Sequence, residues 1–375
     1  MAAKPIPPFY TKLAMVLISL LAVFYIAILG REILAPMIFS LLFAFLLLPL
    51  AGFFEKELRF PRSLSSIFSV LALLLFVAAL FYLIGSQVSL LAKDWPSFKQ
   101  QLGSSVNELQ QWISNKFHVN LEDQKDYVDN AASRILNTGP SVIGSTIVSV
   151  SSVLLFIVFM MVDTFFLLYY RRLIIRFLVA VFKEENSVAV YDIIAKVQSR
   201  IRQYVIGLLL EMAIVSTASC LALWIIGVKY AILLGLLAGL LNLVPYIGIL
   251  IALFLSVLVT FAAAGAAKIL LVMAVLFGIH LLDANVLLPM IVGKKVRVNA
   301  LITILGVIVG QTIWGVIGAF LALPVIAITK IIFDRVEPLK PWGMLLGDEQ
   351  DEKEPEPLKM EIERKEGVEP RPQDQ

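Results

Sequence analysis

Cysteine is nearly missing from this chain. The one present, Cys220, sits inside an apolar run. A lone cysteine excludes an intrachain disulfide, a cysteine metal cluster and a CxxC redox pair; it reads as a small buried apolar side chain. Charge is scarce as well, at 16% of residues against about 25% in soluble chains. No HExxH, Walker-type lysine loop or Gly-x-Ser-x-Gly elbow occurs, so zinc-peptidase, nucleotide-driven and serine-hydrolase chemistry have no motif to stand on. An intramembrane aspartyl protease would need two facing aspartates. Asp163 and Asp283 could supply them, but no accompanying motif supports it. The chain reads as a non-enzyme without a cofactor or bound metal.

What is present is apolar. Hydrophobic residues make up 59% of the chain, with a mean hydropathy of +0.90. Leu13–Leu29, Ile33–Phe54 and Leu64–Leu91 contain no charged residue. A helix needs about 20 apolar residues to cross the hydrocarbon core, and these runs have no polar face to turn to water. The expected fold is all-α: a polytopic helical membrane protein with about eight hydrophobic segments and the bilayer as its first partner. The first run leads straight into Arg31-Glu32 and a second run, so signal-peptide cleavage is not expected.

Segments one to three fall at about 11–30, 33–54 and 64–85, the second opening on Pro36, where a missing N–H costs least. With Lys4, Lys12, Lys56, Arg59 and Arg62 on the cytoplasmic side, the positive-inside bias is satisfied and the N-terminus is cytoplasmic. Residues 86–140 hold five basic and six acidic residues, with apolar positions at helical spacing (Val106, Leu109, Trp112, Ile113, Phe117). They predict a small helical extracytoplasmic insertion. Segment four covers about 141–170. Its Asp163 stands close to Arg171, Arg172 and Arg176, and an interfacial ion pair is the simplest expectation.

Residues 171–204 carry seven basic against three acidic side chains. Ile174, Phe177, Leu178, Val181 and Ile193, Ile194, Val197, Ile201 recur at helical spacing, which predicts a cytoplasmic amphipathic region against the inner leaflet. That placement accounts for the charge without a nucleic-acid partner. Residues 334–375, with thirteen acidic against seven basic residues, predict a cytoplasmic tail. It lacks apolar periodicity from about Asp348 and has Trp342 as an interfacial anchor.

The transmembrane core of 205–333 carries the chemistry. Glu211 lies within segment five (about 203–227), and an ionisable group there is a candidate functional residue. A structural pair with Arg202 is the other reading. Residues 230–262 would make a helix about 50 Å long, too long for a core of about 30 Å. Asn242, Pro245 and Gly248, with Tyr246, mark a break in its middle. Irregular backbone at membrane depth is tolerated only inside protein or beside a water-filled cavity, and broken helices build ion and substrate sites in transporters.

Segment seven (about 267–286) holds His280 and Asp283 on one helical face, then Asn285 and Pro289. Two such ligands do not make a zinc site; proton contact, substrate contact and an interhelical polar network stay open. A second overlong stretch, 299–333, is interrupted around Gly306, Gly310, Gln311, Trp314, Gly315 and Gly318. If 230–262 and 299–333 each cross once, the basic loop Lys294-Lys295-Val-Arg297 lies outside. If both are re-entrant or broken helix pairs, it lies inside, as the charge bias favours. The C-terminus is cytoplasmic in both arrangements.

The segments Gly239-Leu-Leu-Asn-Leu-Val-Pro-Tyr-Ile-Gly248 and Leu282-Asp-Ala-Asn-Val-Leu-Leu-Pro-Met-Ile-Val-Gly293 together resemble the signatures of the AI-2E (PerM-like) family. So do Arg200-Ile-Arg-Gln-Tyr204, Gly207 and Gly315 to Pro324. The resemblance spans about 10–335; Ala284 departs from it, standing where asparagine is more usual. It implies a secondary transporter of the bacterial cytoplasmic membrane, with members linked to autoinducer-2 export and others to sodium(lithium)/proton antiport. The cargo is then a small solute, or a monovalent cation and a proton. The resemblance also suggests a homo-oligomer, with a pentamer as the expected form.

Overall fold

The computed structural model describes residues 9–117, 152–182, 187–244, 247–264, 268–287, 290 and 298–347, and every regular element among them is helical. Six of these helices are long and apolar enough to cross a bilayer, and three shorter apolar ones accompany them. In chain order they are α1 (Phe9–Leu29), α2 (Arg31–Lys56), α3 (Arg62–Lys93) and α4 (Trp95–Phe117); α5 (Ser152–Tyr169); and α6 (Arg171–Val181), α7 (Ser187–Ile226), α8 (Ala231–Leu241), α9 (Ile247–Ala264), α10 (Ile269–Leu282), α11 (Ala300–Phe333) and α12 (Lys340–Leu346).

Two helices run longer than the sequence pattern suggests. α3 continues to Lys93 rather than stopping near 85, because Ser86 and Gln87 are no barrier to a helix. Ser86 turns its hydroxyl back onto the Leu83 carbonyl at 2.8 Å. α7 is one 40-residue helix, so the amphipathic stretch after 187 and segment five form a single element; nothing between them ends a helix. Only α6, cut off before residue 187, is separate.

α7 organises the bundle. α8 packs back along it with glycines at the contact. A Cβ on Gly235 would meet the backbone and sulfur of Cys220, and one on Gly239 would meet Ser216 and the Met212 carbonyl. Small residues let backbones approach where lipid provides no hydrophobic drive for helix association. The 235/220 and 239/216 pairs are antiparallel, and the same register brings Asn242 opposite Glu211. At the far end of α7, Leu223, the start of α8 (Ala231, Leu234), the end of α9 (Val259, Ala262), Val272 of α10 and Phe98 and Leu102 of α4 share one core cluster. α8 and α9 therefore begin and end at the same place, as a helical hairpin whose turn starts at Asn242, Leu243 and Val244.

The second overlong stretch also reverses. Its 34 residues are enough for a crossing, yet Trp314 and Gly315 leave helical geometry, Gly315 at φ 63°. That left-handed conformation suits glycine alone. A Cβ on Gly310 would strike the Gly318 carbonyl, whereas in an unbroken helix these residues would stand about 12 Å apart. The limbs 300–313 and 316–333 therefore lie side by side. The base of the second limb (Ile328, Ile332) borders the start of α7 (Val190, Ile194). The two hairpins thus rise from opposite ends of α7, and the tip of the first rests on the limbs of the second, where Val244 packs with Val307, Ala319 and Ala322.

α2 completes the core. Leu42 packs with Ile201, Leu208 and Leu321, and Ala44, Leu47 and Ala51 pack with Leu73, Met160 and Leu168. α1 is exposed along most of its length and is held by the Trp314 indole, which donates to the Ala27 carbonyl at 2.8 Å. α4, within the stretch expected as a separate insertion, docks Phe98 and Leu102 onto the base of the first hairpin. The rest of that insertion, the 294–297 loop and the tail from 348 lie outside the described residues.

Arg171 does not pair with Asp163. Its Nη2 holds both oxygens of Glu55, at 2.7 and 2.6 Å, because α5 ends beside the end of α2. One residue past α3, Asp94 accepts from the Tyr230 hydroxyl at 2.8 Å and pairs with Lys229 at 2.9 Å. These contacts, Lys229 foremost and then Tyr230, hold the Asp94 carboxyl below its ordinary range.

Two predictions follow from this geometry. A Cβ on Gly306 lies 3.8 Å from that of Ala322, within the disulfide range of about 3.5–4.5 Å; the nearby Ile326 methyl need only turn aside. In a C220S background, G306C/A322C should therefore oxidise to an intramolecular disulfide, read by mass spectrometry after thiol alkylation. Two free thiols would refute the hairpin, since a straight helix separates these positions by about 24 Å. Second, a carboxyl held low in the folded state stabilises above its unfolded value, and that contribution is lost as pH falls through the folded value. Below the ordinary aspartate value of about 3.9, thermal unfolding in detergent should show a smaller acid loss for D94N than for the wild type.

Candidate functional site

The site lies where the first hairpin's tip reaches the middle of α7. α8 ends at Leu241, and Asn242, Leu243 and Val244 form a turn. Gly248 closes it against α8: a Cβ there would overlap the Leu241 carbonyl. The Asn242 side-chain amide donates one N–H to Glu211 Oε1 at 3.0 Å and the other to Asp283 Oδ2 at 2.9 Å. One neutral amide thus bridges two carboxylates from α7 and the end of α10.

Both acids are buried, each 4% exposed. Asp283 stands where α10 passes into a π-helical turn, Asp283–Leu287, a distortion frequent at functional sites. Neither acid has a lysine or arginine ion pair among the described residues. Glu211 Oε2, Asp283 Oδ1, Ser219 Oγ and His280 Nδ1 are buried and accept or donate no hydrogen bond to the described protein. Ser219, Asn242, His280 and Asp283 line an enclosed cavity of about 20 Å³ with the apolar Val215, Ala252 and Leu276. That is room for about one water-sized guest.

The chemistry follows from charge. A buried carboxylate is costly unless neutralised or paired. An amide supplies hydrogen bonds but no charge, so two acids sharing Asn242 call for a positive complement. A proton or a small monovalent cation fits the space; a polyhydroxylated solute does not.

Of the residues singled out from the sequence, Glu211, Asn242, His280 and Asp283 come together. Gly248 supports the turn. Glu211 pairs with Asn242 and not with Arg202, because the α7–α8 register points it at the hairpin tip. Asn285 is exposed and caps the Leu281 carbonyl at 2.8 Å. Gln311 is exposed on the second hairpin, and Trp314, at that hairpin's reversal, packs against the core cluster of Leu42, Ile201 and Leu321. Pro245, Tyr246 and Pro289 lie outside the described residues. Ser219 was missed, although two helical steps of four separate it from Glu211 and place it on the same face.

The family model described as AI-2E family transporter matches residues 15–337. The chain belongs to that family. Among its relatives, YueF of Bacillus subtilis (strain 168) is 26% identical over 318 residues, covering 80% of this chain and 82% of that one. The AI-2 transport protein TqsA of Escherichia coli (strain K12) is 26% identical over 354 residues, covering 92% and 98%. PerM of the same organism is 26% identical over 326 residues, covering 84% and 91%. The matched span contains the whole polar site and both hairpins, so the site belongs to the transporter and not to an appended segment.

Asn242 should matter out of proportion to its size. Leaving buried acceptors unpaired costs about 1–3 kcal/mol. N242L should therefore lower stability by that order in detergent unfolding. N285L, which loses only an exposed bond, should stay within about 0.5 kcal/mol. Equal losses would deny the amide its bridging role.

Proposed function

We propose that this AI-2E family member is a secondary transporter whose cycle is coupled to a proton or a monovalent cation bound at Glu211, Asn242 and Asp283. The observation carrying this reading is the pair of buried carboxylates joined by one neutral amide. A proton or a cation neutralises the pair, and the two compete for the same oxygens. That competition is the thermodynamic basis of antiport in an alternating-access cycle.

The hairpins suit such a cycle. In a bilayer they would be re-entrant from opposite faces, with the tip of the first against the limbs of the second beside the site. The first hairpin then enters from the extracytoplasmic side with α4, and the second from the cytoplasmic side with α6. This places both termini and the 294–297 loop in the cytoplasm, in a bacterial cytoplasmic membrane, and is the arrangement that the basic residues of that loop favour. A homo-oligomer, with a pentamer as its form, remains part of this reading through the family resemblance.

A second reading is export of a small organic solute such as autoinducer-2. It is favoured by the similarity to the AI-2 transport protein TqsA along nearly its full length. The solute would pass outside the small cavity, with Asn285, Tyr246, Gln311 and Trp314 as contacts and Pro289 shaping the end of segment seven.

Reconstituted protein separates the two. In liposomes, an imposed sodium gradient should drive proton movement, falling to the protein-free background in both D283N and E211Q. Wild-type flux in D283N would remove Asp283 as the coupling residue. Solute movement without ion-driven proton flux would favour the second reading.

A further inference from the structure

A second cavity, of about 690 Å³, lies at the opposite end of α7 from the first hairpin's base. It is enclosed by α2, α5, α6, α7 and the end of α11, and its volume falls in the usual range for small-molecule sites, about 300–1,000 Å³. Its wall is aliphatic, with Leu41, Leu48, Ile175, Ile194, Val197 and Ile328 among the lining. Polar groups are confined to Arg171, Gln198, Arg335 and Glu337. The site accepts an apolar chain carrying a charged end.

The charge of that end can be read from the rim. Arg171 commits Nη2 to Glu55, while its Nη1 is buried and donates to no described group. Arg335 and Lys196 share one acid, Asp192, at 2.5 and 3.0 Å, which leaves a surplus positive charge. Glu337 is engaged by Lys340. α6 adds the exposed Arg172 and Arg176.

The source of the chain can be read from α6. None of its residues is buried, and Leu173, Phe177 and Val181 are exposed beside its arginines. A basic helix with bare apolar side chains belongs in the headgroup–acyl boundary. Phe182 and Pro338, both exposed, mark the cavity's mouth at this level.

We propose that this cavity holds an acyl chain of an anionic membrane phospholipid, with the headgroup phosphate at the Arg171–Arg335 rim. A free phosphate would gain only at the rim and leave the aliphatic wall unfilled. A zwitterionic lipid would fill the wall and gain less from the surplus charge.

Native mass spectrometry of the full chain, delipidated in detergent, tests this with added phosphatidylglycerol or phosphatidylcholine of identical acyl chains. The anionic lipid should be retained about fivefold more strongly, the effect of roughly one basic residue at a membrane surface. R335Q should remove most of that preference. I194W, which fills the wall, should lose both lipids while keeping the wild-type unfolding midpoint; if it does not fold, the smaller I194F replaces it. Inorganic phosphate should leave the midpoint unchanged. Equal retention of the two lipids, unchanged retention in the filled variant, or stabilisation by phosphate alone would overturn the proposal. A change of oligomeric state in I194W with lipid retention intact would assign the cavity to a second copy of the chain and overturn it as well.

Discussion

Every interruption of a helix inside a bilayer exposes backbone groups that lipid cannot satisfy. The architecture of this chain follows from that constraint. Two helices are broken, one after Leu241 and the other at Trp314–Gly315; the bundle surrounds the first break with protein, whereas Gly315 at the second is exposed. It does so by folding each broken stretch into a hairpin and seating the tip of the first, at Val244, on the limbs of the second at Val307, Ala319 and Ala322. The irregular backbone of the first hairpin is covered by small residues of the second, Ala319 and Ala322. Where irregular backbone is sheltered, polar side chains can also be sheltered, and Asn242, Glu211 and Asp283 occupy that place.

The position of those side chains depends on glycine spacing more than on their own chemistry. Gly235 and Gly239 let α8 lie against Cys220 and Ser216 of α7. That contact sets a register, and the register delivers Asn242 to Glu211. Asp283 arrives by another route, through the packing of α10 on α7 and α9 and through the π-helical turn at its end. The site is thus the meeting of two independent packings. A side chain added at either glycine would displace the amide without touching either carboxylate.

Much of this was legible in the sequence. The helical membrane class follows from uninterrupted apolar runs. The first break could be read from Asn242, Pro245 and Gly248 in a stretch too long for one crossing, and the second from its glycines around Trp314. Glu211, His280 and Asp283 stood out as ionisable groups among apolar neighbours. Partnership was less legible. Glu211 and Arg202 lie two turns apart on one helix, which suggests a pair, but the bridge runs to Asn242, 31 residues away. Likewise Asp163 lies close in sequence to three arginines, while Arg171 reaches across 116 residues to Glu55. Local spacing says which side chains could meet along one helix; it says nothing of what a neighbouring helix offers. The continuity of α7 was hidden for a different reason. Its first half is amphipathic and its second uniformly apolar, and the change in pattern resembles a boundary although the backbone passes through unbroken.

That continuity has a mechanical consequence. At 1.5 Å per residue the 40 residues of α7 form a rod about 60 Å long, about twice the thickness of the hydrocarbon core. One end is packed into the base of the first hairpin and the other borders the base of the second, with Glu211 near the middle. A stiff rod that tilts about its midpoint swings its ends in opposite directions. Loosening one hairpin base in this way tightens the other, while the fulcrum, and the acid it carries, hardly moves.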